Sequence, residues 1–380
     1  MKQALLQNIQ DIERECNIIK ETLRKTDTPK ELQLFKDWVI GEVDGIIEKN
    51  SHNKYYLSLN RQRLILSIYS GTHQNASSLR ILTETFIPIL HRYHSDDVLC
   101  LKFLHWLHQQ HEISSHKPFG LSSGGFSILP SVRRPMIYYL PAPSQLNLLH
   151  LPLFFHEFGH FLYAAHFPEM TDLIKELQYK ISEKIAIVNE ENTIKNEKQR
   201  EKNIDIVETW FSWTQEFFCD AVGLHIGGKS YLHIFSLYLR TSGNSSFYIN
   251  EKSLKRSSHP VSWLRIKFLA YRAKILGLET EAKNLEKLWQ EMATLLNIRE
   301  KYHGYYENSF FEIVNQCLDD MIEEAQPIYF KNYIQNTDNQ WEKMNFIELV
   351  NYAWDKYLEN LEDYSVIEKE IIRHYNTQIR

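Results

Sequence analysis

The stretch "LPLFFHEFGHFLYAAHF" (151–167) constrains the fold more than any other part of the chain. It is apolar at almost every position yet carries His156, Glu157, His160 and His166. A run of this length with no polar alternation reads as a helix, and a helix apolar on all sides is a buried one. Such a helix advances about 100° and about 1.5 Å per residue, so His156 and His160 lie about 40° apart and about 6 Å apart along the axis. Both imidazoles can reach one metal ion. Glu157 points to another side of that ion, where it can hold a bound water and take its proton. Two histidines and a glutamate buried among Leu, Phe, Tyr and Ala are costly without a partner, and a zinc ion supplies one.

This spacing is the HExxH pattern, which leaves the ion short of one protein ligand. Two candidates present themselves. His166 follows His156 by ten residues, as in HExxHxxGxxH, but Tyr163 stands where the glycine of that string belongs. If the helix continues, His166 points about 100° away and lies about 9 Å beyond His160, out of reach. The other candidate is "QEFFCDAVG" (215–223), where Glu216 and Asp220 share a helical face. One carboxylate can ligate zinc while the other hydrogen-bonds a ligand histidine. Trp210, Phe211, Trp213, Phe217, Phe218, Ala221 and Val222 surround the pair and predict burial. Glu208 is a fallback ligand, and His225, about 180° round from Glu216, reads as an ordinary helix-end histidine.

The rest of the chain is mostly helical in its periodicity. "LQLFKDWVIGEVDGII" (32–47) and "LRILTETFIPILHRY" (79–93) repeat apolar residues at three and four spacing, and "KNSHNK" (49–54) reads as a break between helices. The segment "SSHKPFGLSSGGFSILPSVRRP" (114–135) reads as a loop, and "MIYYLP" (136–141) as a short strand able to pair with an extended substrate. Ser144 is a helix-cap candidate, and Pro152 kinks or restarts the helix that follows. Gly227 and Gly228 end the second aromatic helix. The charged stretch 189–203 reads as a solvated excursion, and both it and 242–258 are candidate gates. The expectation is a mainly α chain with minimal β, divided into helical 1–115, a core at 116–270 and helical 271–380, or folded as one compact domain.

Composition narrows the function classes. With 380 residues, 43% of them hydrophobic, the chain can bury a sizeable core without disulfide or metal. Cys16, Cys100, Cys219 and Cys317 are widely spaced and form no CxxC pair, which predicts neither a disulfide framework nor a cysteine zinc site. A net charge of -5 gives no electrostatic reason to expect nucleic acid. No long uncharged apolar run occurs, so no integral membrane segment is predicted. The polar start "MKQALLQNIQDIEREC" lacks the apolar core of a leader, and the expectation is a soluble, cytoplasmic protein.

Three segments in this order resemble the gluzincin metallopeptidases, in particular soluble relatives of the HtpX-type and prenyl-protein endopeptidases: "HEFGH" (156–160), "EFFCD" (216–220) in the position of ExxxD, and "SHPVSWLRI" (258–266). The resemblance covers about 110 residues. It implies a zincin-like core, with His156, His160 and Glu216 as zinc ligands, Glu157 as general base and Asp220 as their support. It also implies that His259 polarises the scissile carbonyl or caps the zinc, and that Arg265 braces the His259 loop or the site. The expected activity is zinc-dependent endopeptidase hydrolysis of a protein or peptide substrate, with room for a presenting or activating protein partner. Three other readings are a helical interaction protein with a structural or regulatory zinc site, a helical scaffold without metal, and a zinc hydrolase acting on another bond.

Overall fold

The computed structural model describes residues 2–92, 97–141, 144, 146–191, 197–241, 247–255, 257–334 and 340–377. The chain is mainly helical and divides into two compact units, Met1–Leu129 with Arg133–Gln145 and Tyr375–Arg380, and Pro130–Val132 with Leu146–His374. Of the two segments considered as gates, residues 192–196, 242–246 and 256 lie outside the described residues. Among the described residues, no helix is long and apolar enough to cross a membrane.

The first unit begins with helices α1 (Lys2–Lys25), α2 (Gln33–Ser58), α3 (Ile65–Ile81), α4 (Ile87–Arg92) and α5 (Val98–Gln109). Phe35, Val39, Val43 and Ile46 repeat at helical spacing along α2 and meet Ile12 and Cys16 of α1, Leu79 of α3 and Ile89 of α4 in one core. "KNSHNK" does not break this region: it lies inside α2. Asn50 of that segment is buried, and its Oδ1 accepts from Asn75 Nδ2 of α3 at 2.8 Å. A polar residue that reads as a helix breaker thus gains a hydrogen-bond partner on a neighbouring helix.

The segment 114–135 is not only a loop. It contains strands β1 (Phe119–Ser123) and β2 (Ser127–Leu129), which flank β3 (Met136–Leu140) in the order β1-β3-β2. β1 runs parallel to β3 with Leu121 opposite Tyr138, and β2 runs antiparallel with Ile128 opposite Tyr138. The "MIYYL" strand is therefore central. Both of its hydrogen-bonding edges are taken, so it offers no edge to an extended substrate, contrary to the expectation. A Cβ on Gly120 would meet Ile89 Cγ2 at 2.8 Å and Phe35 Cε2 at 2.9 Å, so the glycine in β1 lets the sheet approach α2 and α4.

The second unit holds α6 (Leu153–Ala165), α7 (Phe167–Glu191), α8 (Glu197–Gly227), α9 (Lys229–Thr241), α10 (Glu251–Leu254), α11 (Ser262–Ile275), α12 (Glu279–Leu295), α13 (Phe311–Ala325), α14 (Phe346–Glu359) and most of α15 (Leu361–Thr377). Pro152 restarts the chain as α6 after a short 3-10 turn at Leu148–His150, which Asn147 rather than Ser144 caps: Asn147 Oδ1 accepts from Leu149 N at 3.0 Å. The helix does not continue through His166, since α6 ends at Ala165 and α7 begins at Phe167. Phe154, Phe155, Phe158 and Phe161 of α6 and Trp210, Trp213, Phe217 and Phe218 of α8 are all fully or almost fully buried. Gly159 is the point of closest approach, where an added Cβ would stand 2.8 Å from Cys219 Cα. With no side chain at 159, α6 seats directly on the backbone of α8, in the middle of "HEFGH" and of "EFFCD".

Candidate metal centre

The seating of α6 on α8 brings His156, His160 and Glu216 together. One donor atom from each lies within 4.8 Å of the others, and this is the group of metal-ligand type among the described residues. His156 Nε2 is 3.6 Å from Glu216 Oε2, and His160 Nε2 is 3.7 Å from Glu216 Oε1. Both separations are too long for hydrogen bonds. They are close to the distance of about 3.3 Å that separates two ligand atoms around a tetrahedral ion with bonds of about 2.0–2.1 Å. Glu216 Oε2 is buried and makes no hydrogen bond, although Arg265 Nη2 stands 3.1 Å away. A buried carboxylate oxygen left in this state fits a cation.

Asp220 sets the state of His156. Its Oδ1 is 3.0 Å from His156 Nδ1, while Arg265 donates from Nε to Oδ2 and from Nη2 to Oδ1, both at 2.7 Å. Burial opposes ionisation of Asp220, but the Arg265 charge and the hydrogen bond from His156 overcome it and hold the carboxyl below its usual range. An ionised carboxylate only accepts, so Nδ1 of His156 carries the proton and its Nε2 lone pair faces Glu216. Glu216 is likewise held below the usual carboxylate range: burial resists, and Arg265, His156 and His259 prevail. Two ionised carboxylates against one guanidinium leave the buried cluster short of positive charge. Burial lowers the affinity of His156 for a second proton, but Asp220 and Glu216 outweigh it, so its pKa is raised. A divalent cation held by His156 would compete with that proton and would meet the same deficit.

Glu157 is 7% exposed, and burial pushes its carboxyl up to about 7, with the charge of His156 pulling it back and that of Glu216 adding to the rise. Burial lowers His160 to about 4, so its imidazole is neutral and available as a ligand at neutral pH. The cluster opens on one side. His160 keeps 26% of its side chain exposed and His259 keeps 61%. His259 arrives from the turn before α11, with Nε2 3.4 Å from Glu216 Oε1 and Nδ1 2.9 Å from Ser258 Oγ.

His156, Glu157, His160, Glu216, Asp220, His259 and Arg265 are thus brought to one place. His166 is not: its Nδ1 is 3.2 Å from Glu324 Oε1 of α13. His225 packs its ring 4.8 Å from that of Tyr329, and Glu208 is exposed on α8. Sequence reasoning missed α9, which supplies Tyr231 and Phe235 against His156 and the half-exposed Tyr238, whose phenol is raised first by burial and then by the charge of Glu157. Their i, i+4, i+7 spacing marks one helical face, but nothing in the sequence states what that face packs against. Comparison with protein-family models, with curated proteins and with solved structures gives no match for this chain.

Proposed function

We propose that this chain is a zinc-dependent metallopeptidase of gluzincin type. The observation that carries the reading is a three-donor cluster, two imidazole nitrogens and one carboxylate, open on one side and adjoined by a buried glutamate raised to about 7. Structural zinc sites are closed by four protein ligands, whereas catalytic ones keep three and an open position. A nitrogen and oxygen donor set of this kind suits zinc.

His156, His160 and Glu216 would hold the ion, which when bound supplies Lewis acidity toward a carbonyl oxygen and toward a water. Glu157 takes the proton from the attacking water as its oxygen bonds to the scissile carbon, then returns a proton to the amide nitrogen as the C–N bond breaks. His259, at the open rim, donates a hydrogen bond to the oxygen on which negative charge develops. Asp220 keeps His156 in the required tautomer, and Arg265 keeps Asp220 and Glu216 ionised.

The test is zinc content and peptide hydrolysis by the full chain. One zinc per chain is expected in the native protein and in His166→Ala, and none in Glu216→Ala. Glu157→Gln should retain zinc and lose about 10²–10⁴-fold in turnover on a mixed peptide substrate. Absence of zinc from the native protein after zinc addition would sink the reading. Zinc without hydrolysis of any peptide would move the chain to the class of interaction proteins with a structural or regulatory ion.

A further inference from the structure

α9 enters the centre from a direction that neither "HEFGH" nor "EFFCD" announces. After α8 the backbone reverses at Gly228, whose φ is +59°, and the first turns of α9 come back along α8. Tyr231 is fully buried there, and α8 makes room for it with two glycines. A Cβ on Gly223 would stand 2.4 Å from the Tyr231 ring, and one on Gly227 would stand 2.8 Å from Tyr231 Cβ. Glycine inside a helix is less favourable than alanine, so the room that Gly223 leaves for this ring is not free.

The hydroxyl decides what the ring is for. A phenylalanine fills nearly the same space without burying a polar atom. The Tyr231 hydroxyl instead donates to Asp220 Oδ1 at 3.1 Å and lies 3.5 Å from Nδ1 of His156. One turn along, Phe235 stacks its ring against the imidazole of His156, centroids 5.8 Å apart and planes 25° apart. The Arg265 guanidinium carbon stands 4.8 Å from the centre of the same Phe235 ring. Two consecutive turns of α9 therefore touch all three members of the His156–Asp220–Arg265 chain.

We propose that Tyr231 and Phe235 are positioning residues of the metal centre: the Tyr231 hydroxyl fixes the Asp220–His156 pair, and the Phe235 ring fixes the plane of the His156 imidazole. The inference rests on the reading that His156, His160 and Glu216 bind a metal, and it deepens that reading by making α9 part of what sets the affinity. Removing outer partners of a ligating histidine typically weakens metal binding about 10- to 100-fold.

The test is zinc affinity of the full chain by competition with a chromophoric chelator, together with the visible spectrum of the Co2+-loaded protein, which reports ligand geometry. Tyr231→Phe and Phe235→Leu are each expected to weaken zinc binding about 10-fold or more and to alter the Co2+ bands. Tyr364→Phe removes the hydroxyl of another buried tyrosine, bonded to Glu368 in α15, and should leave both readouts at native values. If one α9 variant fails to fold, the other carries the test. Native affinity and spectrum in the folded α9 variants overturn the proposal. Failure of the native protein to bind zinc overturns both it and the peptidase reading. Weakened zinc binding in the α9 variants, with no hydrolysis by the native protein, supports the proposal and removes only the peptidase.

Discussion

Gly159 and Cys219 form the contact on which the candidate centre depends. A Cβ at 159 would come within 2.8 Å of the Cys219 Cα and 3.1 Å of its Cβ, so these two helices touch backbone to backbone. Gly159→Ala must push α6 away from α8 because the obstacle is main chain, which cannot rotate aside. Overpacking of this kind costs about 1–3 kcal/mol. It also separates His156 and His160 from Glu216, so denaturant unfolding should show the stability loss and zinc titration a weakened affinity. A native zinc affinity in Gly159→Ala would mean that the glycine serves packing alone.

Arg265 is 5% exposed and is shared by two buried carboxylates, Asp220 through two bonds of 2.7 Å and Glu216 at 3.1 Å. Arg265→Leu leaves both without their cation, and breaking a buried pair from one side costs about 3–5 kcal/mol. Excess zinc should recover part of the lost thermal stability, because the ion supplies positive charge to the same cluster. Equal losses with and without zinc would show that the ion does not reach Glu216.

Metal removal gives a second stability test. A ligand that binds only the folded chain stabilises it by about 2.7 kcal/mol at a concentration 100 times its dissociation constant. Chelation should therefore lower the thermal midpoint of the native protein and leave His156→Ala unmoved. A chelator shift of the same size in both would place the responsible metal elsewhere.

In the first unit, burial lowers His108 to about 3, with the charges of His111 and His105 adding to the effect, and lowers His111 to about 4. Both are neutral when folded and titrate near 6.5 when unfolded. Between these values the unfolded chain binds more protons than the folded one, so stability falls as pH drops from about 6.5 toward 4. Each histidine contributes a slope of up to about 1.4 kcal/mol per pH unit in that window. His108→Gln keeps a hydrogen-bonding side chain near Tyr138, which stands 3.0 Å from His108 Nε2, and removes the titration. The acid limb of denaturant stability should flatten accordingly, and an unchanged slope would refute the assignment.

Several features were legible before any tertiary contact was known. The mainly helical class followed from apolar periodicity, and the restart at Pro152 followed from its fixed φ and missing N–H. The common face of His156 and His160 needed only the pitch of one helix, as did that of Glu216 and Asp220. The wrong readings arose where a local signal was overruled from a distance. Asn50 sits inside α2 with its buried Oδ1 bonded to Asn75 of α3, and β1 and β2 form within a Gly/Ser-rich segment because β3 offers them two edges.

The sequence by itself determined which side chains share a helical face, because a repeat of 3.6 residues per turn is set by backbone hydrogen bonds that reach only four residues. It did not determine which faces meet. The approach of α6 to α8 at Gly159, the room that Gly223 and Gly227 leave for Tyr231, and the arrival of His259 beside Glu216 were decided only by the tertiary structure. Contacts between helices depend on the shapes of two surfaces distant in the chain, and local spacing carries no record of the partner surface.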